Sequence, residues 1–161
     1  MNKGTEIYEQ SIVIDACAPL ACPSDEDMFR YEHFLPGKFA MIAATILPMN
    51  DYLPSAMDRI TKFYKIFRGD PRVKHILTVE DIYEAKKNGQ LGIMLAFQGC
   101  SPLQNDLEYI DIYYRLGLRQ MMLCYNIKNC VGDGCTEPGD GGLSIFGVNA
   151  IARMNELGIL I

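Results

Sequence analysis

The sequence is poor in the patterns that bind metals. Its two histidines, His33 and His75, lack a partner at HxH or HxxxH spacing, so surface or structural roles are expected for both. None of the six cysteines forms a CxxC pair, which argues against a zinc ribbon, and in a reducing compartment they are expected to be free thiols. The sequence also has no GxSxG motif, so it lacks the serine elbow of an α/β-hydrolase.

A basic excess, a long apolar run and a signal peptide are missing as well. The formal charge is -5 at pH 7, whereas a nucleic-acid or anionic-membrane partner would require a basic face. The longest apolar run, FAMIAATILPM, is shorter than the ~20 residues that cross a bilayer. The N-terminal segment MNKGTEIYEQS has no apolar core of the signal-peptide kind. We therefore expect a soluble, cytoplasmic protein that binds neither nucleic acid nor membrane.

What the chain does contain is an alternation of apolar strands with amphipathic helices. The predicted strands span 11–17, 39–47, 91–97 and 118–125, and the predicted helices span 55–67, 79–88, 106–116 and 145–157. Three helices end at a glycine (Gly89, Gly117 and Gly158), and an apolar strand follows at once each time. That rhythm is typical of repeated β/α units around a parallel sheet, whose strands are apolar on both faces.

The chain length limits how much of such a fold is present. A complete eight-fold barrel needs roughly 250 residues, so 161 residues supply about half of one. The last residues, LGILI, resemble the opening of a fifth strand. We predict one α/β domain, residues 1–161, that is the N-terminal half of a (β/α)8 TIM barrel and ends at the start of strand five. Because a half-barrel exposes sheet edges, we expect a truncated sequence; the alternative is a small complete α/β sandwich.

The ligand site of a parallel β/α fold lies at the carboxyl ends of its strands. The predicted ends are Asp15 to Pro19, Pro48 to Asp51, Phe97 to Cys100, and Cys124 to Asn126. Cys17, Cys100 and Cys124 would therefore converge. They fit either a soft thiolate metal site or the packing of small thiols, and the lack of a neighbouring histidine favours packing.

A glycine-rich loop, GDGCTEPGDGG, follows the fourth predicted strand. It does not match GxGxxG or the P-loop pattern, and Asp133, Glu137 and Asp140 would repel phosphate. A loop of this length in a compact domain is more often functional than idle. We expect it to fold over a site that prefers a cationic or amine-bearing ligand.

The second half of the chain carries a specific set of motifs, from about Leu91 to Ile161. They comprise Leu116-Gly117, Arg119, Tyr125-Asn126, Asn129, Gly132 to Gly134, Glu137, Gly142-Leu143, Phe146-Gly147 and Met154-Asn155. Together these residues closely resemble the membrane dipeptidase (renal dipeptidase-like) family of metallopeptidases. The segment SIVIDAC is similar to that family's first strand. The resemblance implies a barrel of the metal-dependent hydrolase type, with two zinc ions at the strand ends, that hydrolyses dipeptides.

The metal ligands that the resemblance implies are replaced in this sequence. The family ends its first strand in D-x-H-x-D, and Asp15 matches the leading residue, but Cys17 and Pro19 stand where His and Asp would be. Gln98 stands where a glutamate would bridge both metals, and two further histidine positions would lie beyond Ile161. Neutral Gln cannot supply charge to two cations as a carboxylate does, and Pro offers no ligand. Cys17 and Gln98 are thus the substituted metal positions.

Three functional hypotheses follow. In the first, the protein hydrolyses dipeptides with a reduced metal set, Tyr125 and Asn126 face the substrate, and the loop from Asp133 to Asp140 lies over it. In the second, it is a non-catalytic barrel of the same family that binds a small amino-acid-like ligand or a partner subunit. In the third, it is a free-standing α/β module unrelated to the family. The sequence leaves open whether the protein forms a homo-oligomer.

Overall fold

Every pair of strands is parallel in the computed structural model, which describes residues 2–19, 30–47 and 52–161. The strands are β1 (Ile14–Pro19), β2 (Met41–Leu47), β3 (Val73–His75), β4 (Leu91–Phe97) and β5 (Leu118–Met121). The helices are α1 (Lys3–Gln10), α2 (Leu53–Gly69), α3 (Val79–Asn88), α4 (Glu108–Arg115) and α5 (Ile145–Leu157). Short 3-10 turns occupy Tyr31–His33, Leu35–Gly37 and Ser101–Leu103.

The sheet runs β1-β2-β4, and β4 then pairs with two further strands. β3 pairs with the first half of β4, from Leu91 to Ile93, and β5 pairs with its second half, from Leu95 to Phe97. Beyond β5, Leu160 forms a parallel bridge with Gln120. The N–H of Met121 donates to the Leu160 carbonyl (2.9 Å), so the next strand of a barrel begins here. The predicted half-barrel is confirmed as a partial barrel of parallel strands. The segment that was predicted as the start of strand five comes after β5 here, because β3 was not among the predicted strands.

The helices lie where caps and apolar stripes predict them. α3 and α5 match the predicted ranges, and the Thr78 hydroxyl caps α3 by accepting from the N–H of Asp81 (3.3 Å). Ser144 caps α5 by accepting from the N–H of Gly147 (2.9 Å). Each such cap contributes about 1 kcal/mol by satisfying an otherwise unpaired N–H at the helix start.

The differences from prediction occur in short or exposed elements. α1 was missed because it buries none of its residues, so its sequence has no core-facing stripe. β3 was missed because it has only three residues. The fourth predicted strand, 118–125, was too long, since β5 ends at Met121 and the chain then turns into a loop. The second predicted strand end, Pro48 to Asp51, lies outside the described residues.

The core fills the space between the sheet and the helices on one side. All seven residues of β2 and all seven of β4 are buried, as expected for central strands covered on both faces. Phe97 meets Tyr113 of α4 edge-on with ring centres 5.0 Å apart, and α2 buries Ile60 and Phe63 against the same cluster. Within the described ranges, no helix combines the length and apolarity needed to cross a bilayer.

Candidate ligand site at the carboxyl edge of the sheet

Cys17 and Gln98, which the sequence predicts to be substituted metal positions, both lie at the carboxyl edge. Cys17 is exposed, and its N–H donates to Oδ1 of Asp15 (3.0 Å) at an irregularity in the β1 register. Gln98 directly follows β4, where its N–H donates to the Leu47 carbonyl (3.1 Å). Across the edge, Nε2 of Gln120 on β5 donates to the Ala16 carbonyl of β1 (3.3 Å). The side-chain amide of Gln98 has no hydrogen-bond partner among the described residues.

Tyr125 and Asn126, the predicted substrate-binding residues, follow β5. Their backbone carbonyls accept hydrogen bonds from the glycine-rich loop. The Tyr125 carbonyl accepts from the N–H of Cys135 (2.9 Å). The Asn126 carbonyl accepts from the N–H and the hydroxyl of Thr136 (2.9 and 2.6 Å). The loop can approach Asn126 this closely because residue 134 is glycine: a Cβ there would lie 2.4 Å from the Asn126 carbonyl oxygen. The Tyr125 side chain stays 39% exposed, whereas Asn126 is half-buried.

The acidic residues of the loop are occupied in holding it together. Asp133 forms an ion pair with Lys128 (2.9 Å) and accepts from the N–H of Gly141 (2.7 Å), and the Lys128 contact holds the pKa of Asp133 below its usual range. Glu137 accepts from the N–H of Lys128 (2.7 Å). Asp140 accepts from the N–H of Gly142 (3.0 Å). These contacts stabilise the loop, and the expected preference for a cationic ligand stays a prediction.

The thiols of Cys100, Cys124 and Cys130 at this edge are packing groups. Cys100 is fully buried and its thiol donates to the Met122 carbonyl (3.4 Å), while the Cys130 thiol donates to the Cys100 carbonyl (3.5 Å). Burial raises the pKa of Cys100, Cys124 and Cys130, which keeps them protonated and poor as metal ligands. All five cysteines of the described segments are free. The geometry therefore favours packing for Cys100 and Cys124, whereas Cys17, the third of the converging cysteines, is exposed.

His75 and His33 have the structural and surface roles that their spacing predicts. His75 is the last residue of β3, and its ring stacks on the ring of Phe67 with centres 4.2 Å apart. Burial lowers its pKa to about 4, so the ring is neutral near pH 7. His33 is exposed in a 3-10 turn, where its Nδ1 accepts from the N–H of Arg30 (3.4 Å).

Sequence reasoning missed a group of polar residues in the loop after β4. Ser101, Gln104 and Asn105 line a pocket of about 500 Å³ together with residues from the loop after β5. Gln104 and Asn105 both have left-handed backbone, with φ of 48° and 62°. No motif marks this loop, and the segment CSPLQND indicates only a turn.

The fold and this edge define a class, the β/α-barrel proteins that bind small ligands at the carboxyl ends of their strands. Comparison with known sequences gives the family. The profile of the membrane dipeptidase family (peptidase family M19) matches residues 3–161, so the chain belongs to that family. The expected resemblance is therefore confirmed, and a module unrelated to the family is excluded.

Curated relatives and solved structures agree with this assignment. The chain is 26% identical to Dipeptidase verJ of Clonostachys rogersoniana over 86 residues, which cover 52% of this chain and 22% of that protein. Among solved structures, an amidohydrolase from Pseudomonas aeruginosa is 30% identical with a TM-score of 0.84, covering 96% of this chain and 46% of the other. A metallo peptidase from Rhodobacter sphaeroides, 16% identical, shares the fold with a TM-score of 0.77, covering 92% and 57%. The chain thus spans about half the length of the solved relatives.

The described residues do not fit the pair of zinc ions that the family implies. No group of three or more His, Cys, Asp or Glu within the described segments is arranged to hold a metal. At the metal positions that the sequence predicts, Gln98 is neutral and Pro19 has no donor atom, which leaves Cys17 without the carboxylates that zinc would share. The described segments therefore do not present the ligand set that the resemblance implies.

Proposed function

We propose that the protein binds dipeptides, or closely related amino-acid-like molecules, at the carboxyl edge of its sheet and hydrolyses their peptide bond. The observation that carries the proposal is the family match over residues 3–161, on a fold whose carboxyl edge presents hydrogen-bonding side chains. The Rhodobacter sphaeroides protein of similar fold holds a phosphinate mimic of the dipeptide L-Ala-D-Ala, which supports this class of ligand.

Tyr125 and Asn126 have the chemistry that such a ligand needs. The Tyr125 hydroxyl has no hydrogen-bond partner within the described segments, so it can donate to a peptide carbonyl or carboxylate. The Asn126 Oδ1 accepts from the Cys135 thiol (3.4 Å), which orients the amide and leaves its NH2 group for the ligand. Because the loop is bonded to the backbone of both residues, the two side chains start from a fixed position, and binding costs less ordering entropy.

A second function, a barrel that binds dipeptides without cleaving them, is favoured by the donor set. Pro19 and Gln98 stand where the resemblance places carboxylate ligands and so remove negative charge, and Cys17 stands where it places a histidine; no step of hydrolysis is therefore assigned to zinc here. Binding and hydrolysis make different demands on this edge: hydrogen-bonding groups suffice for binding, whereas hydrolysis needs a group that activates water.

The test uses the full-length protein, a panel of dipeptides and added Zn²⁺. Free amino acids are measured by chromatography, and bound metal and dipeptide affinity are measured separately. Release of amino acids, reduced about tenfold in Tyr125→Phe, supports hydrolysis, since a hydrogen bond to a charged or polarised group contributes about 1.5 kcal/mol. Tyr83→Phe is the matched control, because Tyr83 is 61% exposed on α3. Binding without release supports the second function, and neither binding nor release refutes both.

A further inference from the structure

The pocket of about 500 Å³ at the carboxyl edge lies between two loops that follow neighbouring strands. Its lining comes from three segments: Ser101, Gln104 and Asn105 after β4, Ile127 to Cys130 after β5, and Tyr52 before α2. The Cys130 thiol donates to the Cys100 carbonyl (3.5 Å), which ties the two loops together. The pocket is therefore formed before a ligand arrives, at the edge where β/α barrels bind ligands.

The backbone of the first loop is held in an unusual conformation. Gln104 and Asn105 are consecutive left-handed residues, and Lys38 is the only other non-glycine residue with positive φ in the described segments. Left-handed backbone is unfavourable for a residue with a Cβ, by about 1 kcal/mol or more, and less so for Asn than for Gln. Glycine would relieve this strain, but it would also remove both amide groups from the pocket wall.

The polar groups of this loop are available to a ligand. The hydroxyl of Ser101 and the amides of Gln104 and Asn105 have no hydrogen-bond partner within the described segments. Asn129 differs, because its Nδ2 donates to the Leu123 carbonyl (2.7 Å) and its Oδ1 accepts from the N–H of Val131 (2.8 Å). One hydroxyl and two amides, which can each donate and accept, therefore converge on one cavity.

The charge of the pocket wall is balanced. Lys128 is the cation of the wall, and its Nζ pairs with Oδ1 of Asp133 at 2.9 Å. A ligand carboxylate would have to compete with Asp133 for that ammonium group, whereas a neutral amide would meet free donors and acceptors. We propose that this pocket is a specificity subsite for the neutral polar side chain of an amino-acid ligand, with an amide such as that of glutamine preferred over an aliphatic group.

The inference rests on the proposed function for the kind of ligand, but it is tested by binding and without catalysis. The probes are the methylamides of N-acetylglutamine and N-acetylleucine, titrated into the full-length protein and followed by NMR chemical shifts. The glutamine probe is expected to bind about fivefold more tightly, as about 1 kcal/mol of net hydrogen bonding would give. The shifts should include the backbone amides of Ser101, Gln104 and Asn105.

Variants separate the side-chain amides from the backbone. Gln104→Gly and Asn105→Gly each remove a side-chain amide, and glycine accepts positive φ, so each variant is expected to fold. In each, the ratio of the affinities for the glutamine and leucine probes should fall from about five toward one. Lys38→Gly is the matched control, because it relieves the same backbone strain at φ 52° in a residue that does not line the pocket. It should keep the fivefold preference.

The outcomes distinguish this inference from the proposed function. Equal binding of the two probes, or an equal loss of preference in Lys38→Gly and Gln104→Gly, overturns the subsite. Dipeptide hydrolysis with no preference for glutamine probes also overturns the subsite while the proposed function stands. A retained preference in a protein that cleaves no dipeptide supports the subsite and refutes hydrolysis.

Discussion

Gly147, in the first turn of α5, offers a test of how closely that helix packs on the loop that precedes it. A Cβ at this position would lie 2.0 Å from the Val131 carbonyl oxygen and 2.9 Å from its carbonyl carbon. The same carbonyl accepts from the N–H of Ser144 (2.9 Å), so it is held in place by the start of the helix. The close approach therefore leaves no room for alanine unless the backbone moves.

Two opposing effects set the size of the change in Gly147→Ala. Alanine favours a helix interior over glycine by about 1 kcal/mol. Against this, an overlap of more than 1 Å with a fixed backbone oxygen forces helix and loop apart, and overpacking of that kind costs about 1–3 kcal/mol or more. The Ser144 cap would weaken at the same time, at a further cost of about 1 kcal/mol. We expect a net loss of about 1–3 kcal/mol in the free energy of unfolding.

Gly69→Ala is the matched control for this prediction. Gly69 is also helical, at the end of α2, but a Cβ there would meet nothing within 4 Å. Helix propensity then acts alone, and the variant should be more stable by up to about 1 kcal/mol. Both variants are measured by urea unfolding of the full-length protein, followed by far-UV circular dichroism. A Gly147→Ala variant as stable as the parent, or a shift of the same sign in both variants, would refute the packing argument.

Three further predictions concern stability and the loop. The pKa of His75 is near 6.5 in the unfolded chain and about 4 in the folded protein, so the folded state loses stability as pH falls from 6.5 toward 4. The expected loss is about 2 kcal/mol after allowance for the partial exposure of the ring. Urea unfolding of His75→Phe should lack that part of the pH dependence. Asp111→Asn removes the carboxylate that pairs with Arg153 between α4 and α5, and we expect a small loss of stability in urea unfolding that 1 M salt reduces. Gly134→Ala places a Cβ 2.4 Å from the Asn126 carbonyl oxygen, so hydrogen exchange at Cys135 should accelerate at least tenfold, whereas unchanged exchange would contradict the assigned loop contacts.

The repeated unit of the fold was predictable because long elements carry several independent signals. α3 has an apolar stripe, a capping box at Thr78 and a left-handed glycine at Gly89, and all three agree on its bounds. β4 is apolar throughout because helices and the barrel interior cover both faces. α1 and β3 carry no such agreement, since the first buries no residue and the second has three residues.

The candidate site was less predictable because its properties arise from contacts between distant loops. Tyr125 and Asn126 are predicted as substrate-binding residues from the end of a strand and from the family resemblance, whereas Gln104 and Asn105 belong to no motif and are singled out only by left-handed backbone and a shared pocket. The composition of the acidic loop predicts an attraction for cations, and composition alone does not reveal that Asp133 pairs with Lys128 and accepts from the N–H of Gly141 inside the folded loop.

The separation between core and carboxyl edge explains how a chain of this family can keep the fold while its sequence differs at the predicted metal positions. Ala18, Phe97 and Met121 are buried within the last few residues of their strands, and they pack the core whatever follows them. Cys17 is exposed and Gln98 is only half-buried, so substitution at either position removes a metal donor without opening a cavity. Fold stability therefore does not constrain the ligand positions, and the chemistry of this edge can diverge while the barrel persists.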